Sequence, residues 1–270
     1  MLFRSRAELE KIAAVCRRVP AEAPRDFHEA LQAYWFHHLA VITELNGWDA
    51  FSPGHLDQHL WPFYERGLAE GTLTPAAAKE LLACFFVKFN NHTAPPKVGV
   101  TAAESGTYTD FANINLAGLL RDGRDGSNPV THLLLDVIDE MHLLQPSSNM
   151  QVSRKTPDHV LKHALKVIRN GYGFPSLFNA DAVVEEQLRQ GKTPEDAREG
   201  GCSGCVEVGG PQHREAERVE DRGAEAAVAD GEGSDGVAVV RAAEGEEGRA
   251  TGDAAVGPVL ERDLERLLHG

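Results

Sequence analysis

The densest chemistry in the chain lies at Gly200-Gly-Cys-Ser-Gly-Cys-Val-Glu-Val-Gly-Gly210. Glycines surround the thiols of Cys202 and Cys205 and the carboxylate of Glu207. Glycine permits tight turns and close approach of backbone to a ligand. Cys205 and Glu207 stand two residues apart, so in an extended segment they face the same side and meet one substrate. Such a pair combines hydrogen-atom or covalent chemistry at sulfur with proton transfer at oxygen. Plainer readings stay open at this point. A cysteine is often a small buried hydrophobe. Cys202-x-x-Cys205 also reads as half of a zinc site, without a second such pair, or as a redox pair, without the helix that follows one.

Other segments offer chemistry with a structural alternative beside it. His55-x-x-x-His59, with Asp57 between, has the spacing of two metal ligands on a helix, but the glutamate of a zincin motif is missing. A hydrogen-bonded structural pair fits it as well. His37-His38 sits in an aromatic helix and reads as packing. Ser105-Gly-Thr-Tyr-Thr-Asp-Phe111 brings hydroxyls and a carboxylate to a strand entry, which suits either ligand binding or a local turn network. Asp49, in Asn46-Gly-Trp-Asp-Ala-Phe-Ser-Pro53, is a ligand contact or the cap of the next helix. Gly171-Tyr-Gly-Phe-Pro175 lacks the Lys-Ser/Thr of a phosphate loop.

Elements must position these groups. Apolar spacing predicts helices over 5–19, stopped by Pro20, and over 25–46, where aromatic content implies burial on more than one face. Ser52-Pro53-Gly54 opens a third helix to about Leu68, and Thr74-Pro75 opens a fourth to about Phe89. Phe111-Ala-Asn-Ile-Asn-Leu116 alternates as a half-buried strand does. Helices are expected over 128–144, from the Thr156-Pro157 cap to about Gly171, over 181–190, and from Thr193-Pro194. Strands are expected over 147–153 and 174–179, and 203–208 reads as a strand or a tight loop. Alternating strands and helices imply βαβ units in a parallel sheet or barrel, with the earlier helices outside.

The 270 residues carry 27 bases against 41 acids, a net charge of −14. No basic face is available for phosphates, which argues against nucleic-acid binding. No apolar run spans a membrane and the N-terminus lacks a secretory signal, so the expected location is cytoplasmic. The charge is uneven. Residues 211–270 hold 15 acids, 7 bases and 20 Ala or Gly, without an aromatic. That composition buries too little to offset ordering entropy, so the tail is expected to be disordered, apart from a short helix over 258–268. The expected domains are therefore 1–210 and the acidic tail 211–270.

Gly204-Cys205-Val206-Glu207 resembles the cysteine-loop signature of glycyl radical enzymes of the pyruvate formate-lyase superfamily. Matching blocks include Trp35-Phe-His-His-Leu39, Phe51-Ser-Pro-Gly-His-Leu-Asp-Gln-His-Leu60, Lys88-Phe-Asn-Asn91, Tyr108-Thr-Asp-Phe-Ala-Asn-Ile-Asn115 and Leu144-Gln-Pro-Ser-Ser-Asn149. The Cys-Val-Glu form is similar to the dehydratase, decarboxylase and other lyase branches. Within them it most resembles the dehydratases that act on trans-4-hydroxy-L-proline. The resemblance implies an α/β fold, part of a ten-stranded barrel of two antiparallel five-stranded halves with outer helices. It implies Cys205 as the thiyl radical and Glu207 as the general acid. Asp49, Ser105, Asp110 and Phe111 would hold the substrate ring, its amine and its carboxylate. No cofactor is expected to bind directly. The radical resides on a protein glycine and is installed by a partner activase that uses S-adenosylmethionine and an iron–sulfur cluster. The partners implied are that activase, a small hydroxylated substrate and a second copy in a homodimer.

The residue-by-residue resemblance stops near Val208-Gly209, and no glycine-loop motif follows. The chain is therefore expected to be an internal part of such an enzyme, inactive alone. Its tail reads as a GC-rich gene translated in a wrong frame after codon 209, or as a genuine acidic tail. The competing readings are a formate C-acetyltransferase, which has adjacent cysteines where this chain has Cys205-Val206, and a non-catalytic truncated protein.

Overall fold

The computed structural model describes residues 6–44, 54–91, 112–203 and 207–209. The chain divides into two units, Met1–Pro211 and Gln212–Gly270. The second unit, with the expected disorder and short helix of the tail, lies outside the described residues.

The helical signals of the first ninety residues are borne out as α1 (Arg6–Arg18), α2 (Phe27–Glu44), α3 (Leu56–Ala69) and α4 (Pro75–Asn91). Thr74 caps α4 as its position predicts, its hydroxyl accepting from the Ala77 N–H at 3.1 Å. Helix α2 is buried on more than one face, through Phe27, Leu31, Ala33 and Trp35. Its Trp35 meets Phe89 of α4 edge to face at 5.2 Å, and Phe85 meets Phe89 at 4.9 Å. His38 joins them 4.6 Å from Phe89, so the packing reading holds for His38. His37 is exposed instead and bonds the Ala33 carbonyl through Nδ1 at 2.8 Å.

Beyond residue 112 the chain forms β1 (Asn113–Ala117), α5 (Pro129–Met141), β2 (Ser147–Val152), α6 (Asp158–Arg169) and β3 (Ser176–Asn179). The three strands lie parallel in the order β1-β2-β3, with α5 and α6 as the crossovers that parallel neighbours require. Helices α7 (Ala180–Arg189) and α8 (Pro194–Arg198) follow, capped by Asn179 and Thr193. The antiparallel pair β4 (Gly201–Ser203) and β5 (Glu207–Gly209) ends the described part. Of segment 203–208, residues 204–206 lie outside the described residues. Ser203 and Glu207 pair across a hairpin.

Three local expectations are corrected. Helix α5 stops at Met141, short of Leu144, because His142 turns left-handed at φ +46°. Thr156 does not cap α6. Its hydroxyl accepts from the Ser153 N–H at 3.0 Å, and no side chain caps that helix. Strand β1 is not half-buried, since all five of its residues are buried. Alternation does separate an apolar face (Ile114, Leu116, Met150, Val152) from a polar one (Asn113, Asn115, Asn149, Gln151). Protein covers the polar face too, which periodicity by itself does not reveal.

Candidate functional site

Burying four carboxamides is costly unless each finds a partner. On this face two of them find backbone and the other two pair with each other. Asn115 pairs with both backbone groups of Cys202. Its Oδ1 accepts from the Cys202 N–H at 2.8 Å, and its Nδ2 donates to the Cys202 carbonyl at 3.0 Å. Gln151 Nε2 donates to the Gly200 carbonyl at 2.9 Å. Asn149 Nδ2 donates to Asn113 Oδ1 at 2.9 Å. The side chains of β1 and β2 therefore hold residues 200–202, immediately before the thiol loop. The approach is so close that a Cβ on Gly201 would lie 2.9 Å from Asn115 Nδ2.

A second grip comes from the start of α3. His55 Nε2 lies 3.1 Å from the same Gly200 carbonyl. A carbonyl only accepts, so the ring proton sits on Nε2. Burial pushes the His55 pKa down to about 4, which keeps the ring neutral near pH 7. Gly118, at φ +81°, passes beneath this ring, and a Cβ there would come within 2.8 Å of His55 Cε1. Its neighbour Ala117 is also left-handed, at φ +56°, a conformation that persists only when the surroundings impose it. Here α3 imposes it. Asp57 Oδ2 accepts from the Ala117 N–H at 2.7 Å, and Gln58 Nε2 donates to the Ala117 carbonyl at 2.6 Å. Asp57 also accepts from Thr131 Oγ1 at 2.5 Å and from the Gln58 N–H at 2.9 Å. Even so, burial pushes its carboxyl up to about 7.

The residues singled out in the sequence distribute unevenly. Cys205, Asp49, Ser105, Asp110 and Phe111 lie outside the described residues. Glu207 opens β5, its backbone paired with Ser203. Cys202 is buried, whereas Cys16 and Cys84 are exposed. His55 and His59 sit in different environments. His55 faces a carbonyl and His59 is exposed, and among the described residues no three His, Cys, Asp or Glu side chains converge on a metal position. Among those residues, no helix is long and apolar enough to cross a membrane. Asn115 and Gln151 escaped the sequence analysis. Their one signal is a polar alternation, Asn113-x-Asn115 in β1 and Asn149-x-Gln151 in β2.

Comparison with known proteins places this arrangement among relatives. The pyruvate formate lyase-like family model matches residues 3–219, ten residues beyond Gly209. Trans-4-hydroxy-L-proline dehydratase of Clostridioides difficile is 57% identical over 202 residues, covering 75% of this chain and 26% of that enzyme. The solved structure of hydroxyproline dehydratase from the same organism, with trans-4-hydroxy-L-proline bound, superposes with a TM-score of 0.71 at 57% identity. It covers 75% of this chain and 26% of that one. A glycyl radical enzyme from Archaeoglobus fulgidus gives a TM-score of 0.70 at 31% identity, over 76% of this chain and 26% of that one. The chain spans about a quarter of the length of these relatives.

Proposed function

From the premise that this chain belongs to the pyruvate formate lyase-like family, we propose that it carries the thiol-loop part of a radical dehydratase acting on trans-4-hydroxy-L-proline. One observation carries the reading. The segment matched by the family model, residues 3–219, includes a hairpin whose paired residues, Ser203 and Glu207, bracket Cys205 in sequence and whose lead-in is gripped by buried side chains, and the chain is 57% identical over 202 residues to that dehydratase. Residues 1–210 form the lyase-type domain in this reading, as part of a ten-stranded barrel, and 211–270 form a separate acidic tail.

Cys205 takes the hydrogen atom from the substrate carbon next to nitrogen. The S–H bond forms as the C–H bond breaks homolytically. Glu207 donates the proton that turns the neighbouring hydroxyl into water, and the ring nitrogen releases the balancing proton. Cys205 then returns the hydrogen atom, leaving a pyrroline carboxylate and no net oxidation. Asp49, Ser105, Asp110 and Phe111 hold the ring and exclude water from the radical. The family's glycyl radical, installed by its activase, supplies the oxidising equivalent that Cys205 needs. A homodimer in the cytoplasm is part of the same reading.

The test is a chimera in which this chain's matched segment replaces the corresponding part of the Clostridioides difficile dehydratase. It is assayed anaerobically with the activase on trans-4-hydroxy-L-proline. Turnover that is abolished by both Cys205→Ser and Glu207→Gln is expected. An activated chimera that forms its radical yet leaves the substrate intact would overturn the substrate assignment.

A further inference from the structure

The residues that grip the segment before the thiol loop have no role in the chemistry just described, yet they are among the most completely buried polar groups of the described chain. Asn115 has no exposed surface, and Gln151 and His55 are 1% and 2% exposed. A carboxamide presents one donor and one acceptor at the spacing of a peptide. By bonding both the N–H and the carbonyl of Cys202, Asn115 does what a residue of a neighbouring strand would do. That pairing has only one register. A slip of one residue would set the amide against the wrong groups and reverse every side chain of β4. The same slip would bring Ser203 or Gly201 opposite the carboxamide and carry the Gly200 carbonyl away from Gln151 and His55. Gly201 is the complement of this contact, since its missing Cβ is what allows the carboxamide to reach the backbone.

We propose that Asn115 is a positioning residue for Cys205. Its two-point pairing with the Cys202 backbone, seconded by Gln151 and His55 on the Gly200 carbonyl, fixes the register in which the thiol three residues later is presented. The proposal rests on the reading of Cys205 as the reacting thiol, but the grip itself is open to a separate test.

The grip is read on the full chain by the rate at which its cysteines react with iodoacetamide. Cys16 and Cys84 are exposed and serve as internal references. In the parent, the buried Cys202 is expected to react slowly. In Asn115→Ala and in the near-isosteric Asn115→Asp, which sets a carboxylate oxygen against the Cys202 carbonyl, Cys202 is expected to react at least roughly ten-fold faster, with Cys16 and Cys84 unchanged. Unchanged protection of Cys202 in both variants would overturn the grip.

The consequence for chemistry is read in the dehydratase chimera. A displacement of about 1 Å at a reacting group costs roughly 100-fold in rate, so Asn115→Asp is expected to lower kcat by about that factor. KM and the yield of glycyl radical should stay within about three-fold, a split that general destabilisation does not produce. Gly201→Ala should lower kcat similarly, but add little to Asn115→Ala, which removes the group it strikes. Equal losses in radical yield and kcat, or full additivity of the last pair, would overturn the positioning role. A parent chimera that forms its radical but has no activity would instead overturn the proposed function, and the alkylation result would still decide the grip.

Discussion

The nest between α2 and α4 and the polar face of β1 and β2 are buried to the same degree, and they are built from opposite materials. Phe89 and Asn115 are both fully enclosed. Phe89 is held by Trp35, Phe85 and His38 through ring contacts between 4.6 and 5.2 Å. Asn115 is held by two hydrogen bonds to the backbone of one residue, Cys202. Dispersion and apolar burial are non-directional, so the nest depends on volume. A carboxamide pairing depends on which atom donates, so the polar face depends on identity. The first region stabilises the fold, and the second decides where one short segment of backbone lies.

The contrast can be broken or sharpened in order of expected size. Phe89→Ala empties the centre of the nest and should destabilise the chain by about 3–5 kcal/mol in urea unfolding. A loss under about 1 kcal/mol would mean the nest collapses around the gap and is not a volume-limited core. Asn115→Leu keeps the approximate size but orphans two buried backbone groups of Cys202, at about 1–3 kcal/mol each. If that variant proved as stable as the parent, the polar face would be a tolerant surface like any other, and the comparison would fail.

His55 gives the next effect through pH. Its folded pKa, about 4, is depressed by burial below the ordinary histidine value. The unfolded chain therefore binds the proton first on acidification. The stability from neutral His55 is complete above about pH 6.5 and is lost as pH falls towards 4, by roughly 2–3 kcal/mol. Asp57, whose carboxyl is raised to about 7, works in the opposite sense as pH falls below 7, so the parent is compared with His55→Gln at each pH. Unfolding midpoints of the variant should fall less between pH 7.5 and 4.5, and identical slopes would show that His55 is not the group responsible. The smallest effect belongs to the nest again. Phe89→Leu keeps most of the apolar volume and should cost under about 1.5 kcal/mol. A cost greater than that of Asn115→Leu would reverse the ranking of the two regions.

The sequence carried the helices and strands because their signals are local. Thr74 and Thr193 cap helices that begin where their positions foretell, and the Pro and Gly punctuation around 128–200 divides the chain close to the observed boundaries. The Thr156 cap misled because a hydroxyl chooses among nearby donors, and the Ser153 N–H was the better placed. His55 was legible as a residue able to do chemistry, but its partner was not.

What the sequence by itself determined is therefore the family, the alternation of helix and strand, and the presence of a glycine-rich thiol loop. Each of these is written in residue types at short spacing. What only the tertiary structure decided is which polar groups meet. Asn115 and Cys202 are 87 residues apart, and His55 and Gly200 are 145 apart. A period of two or of 3.6 residues tells which side chains share a face, while a hydrogen bond needs a donor and an acceptor brought within about 3 Å at a proper angle. Only the crossover α5, which sets β1 beside β2, and the return of the chain through α8 fulfil that condition.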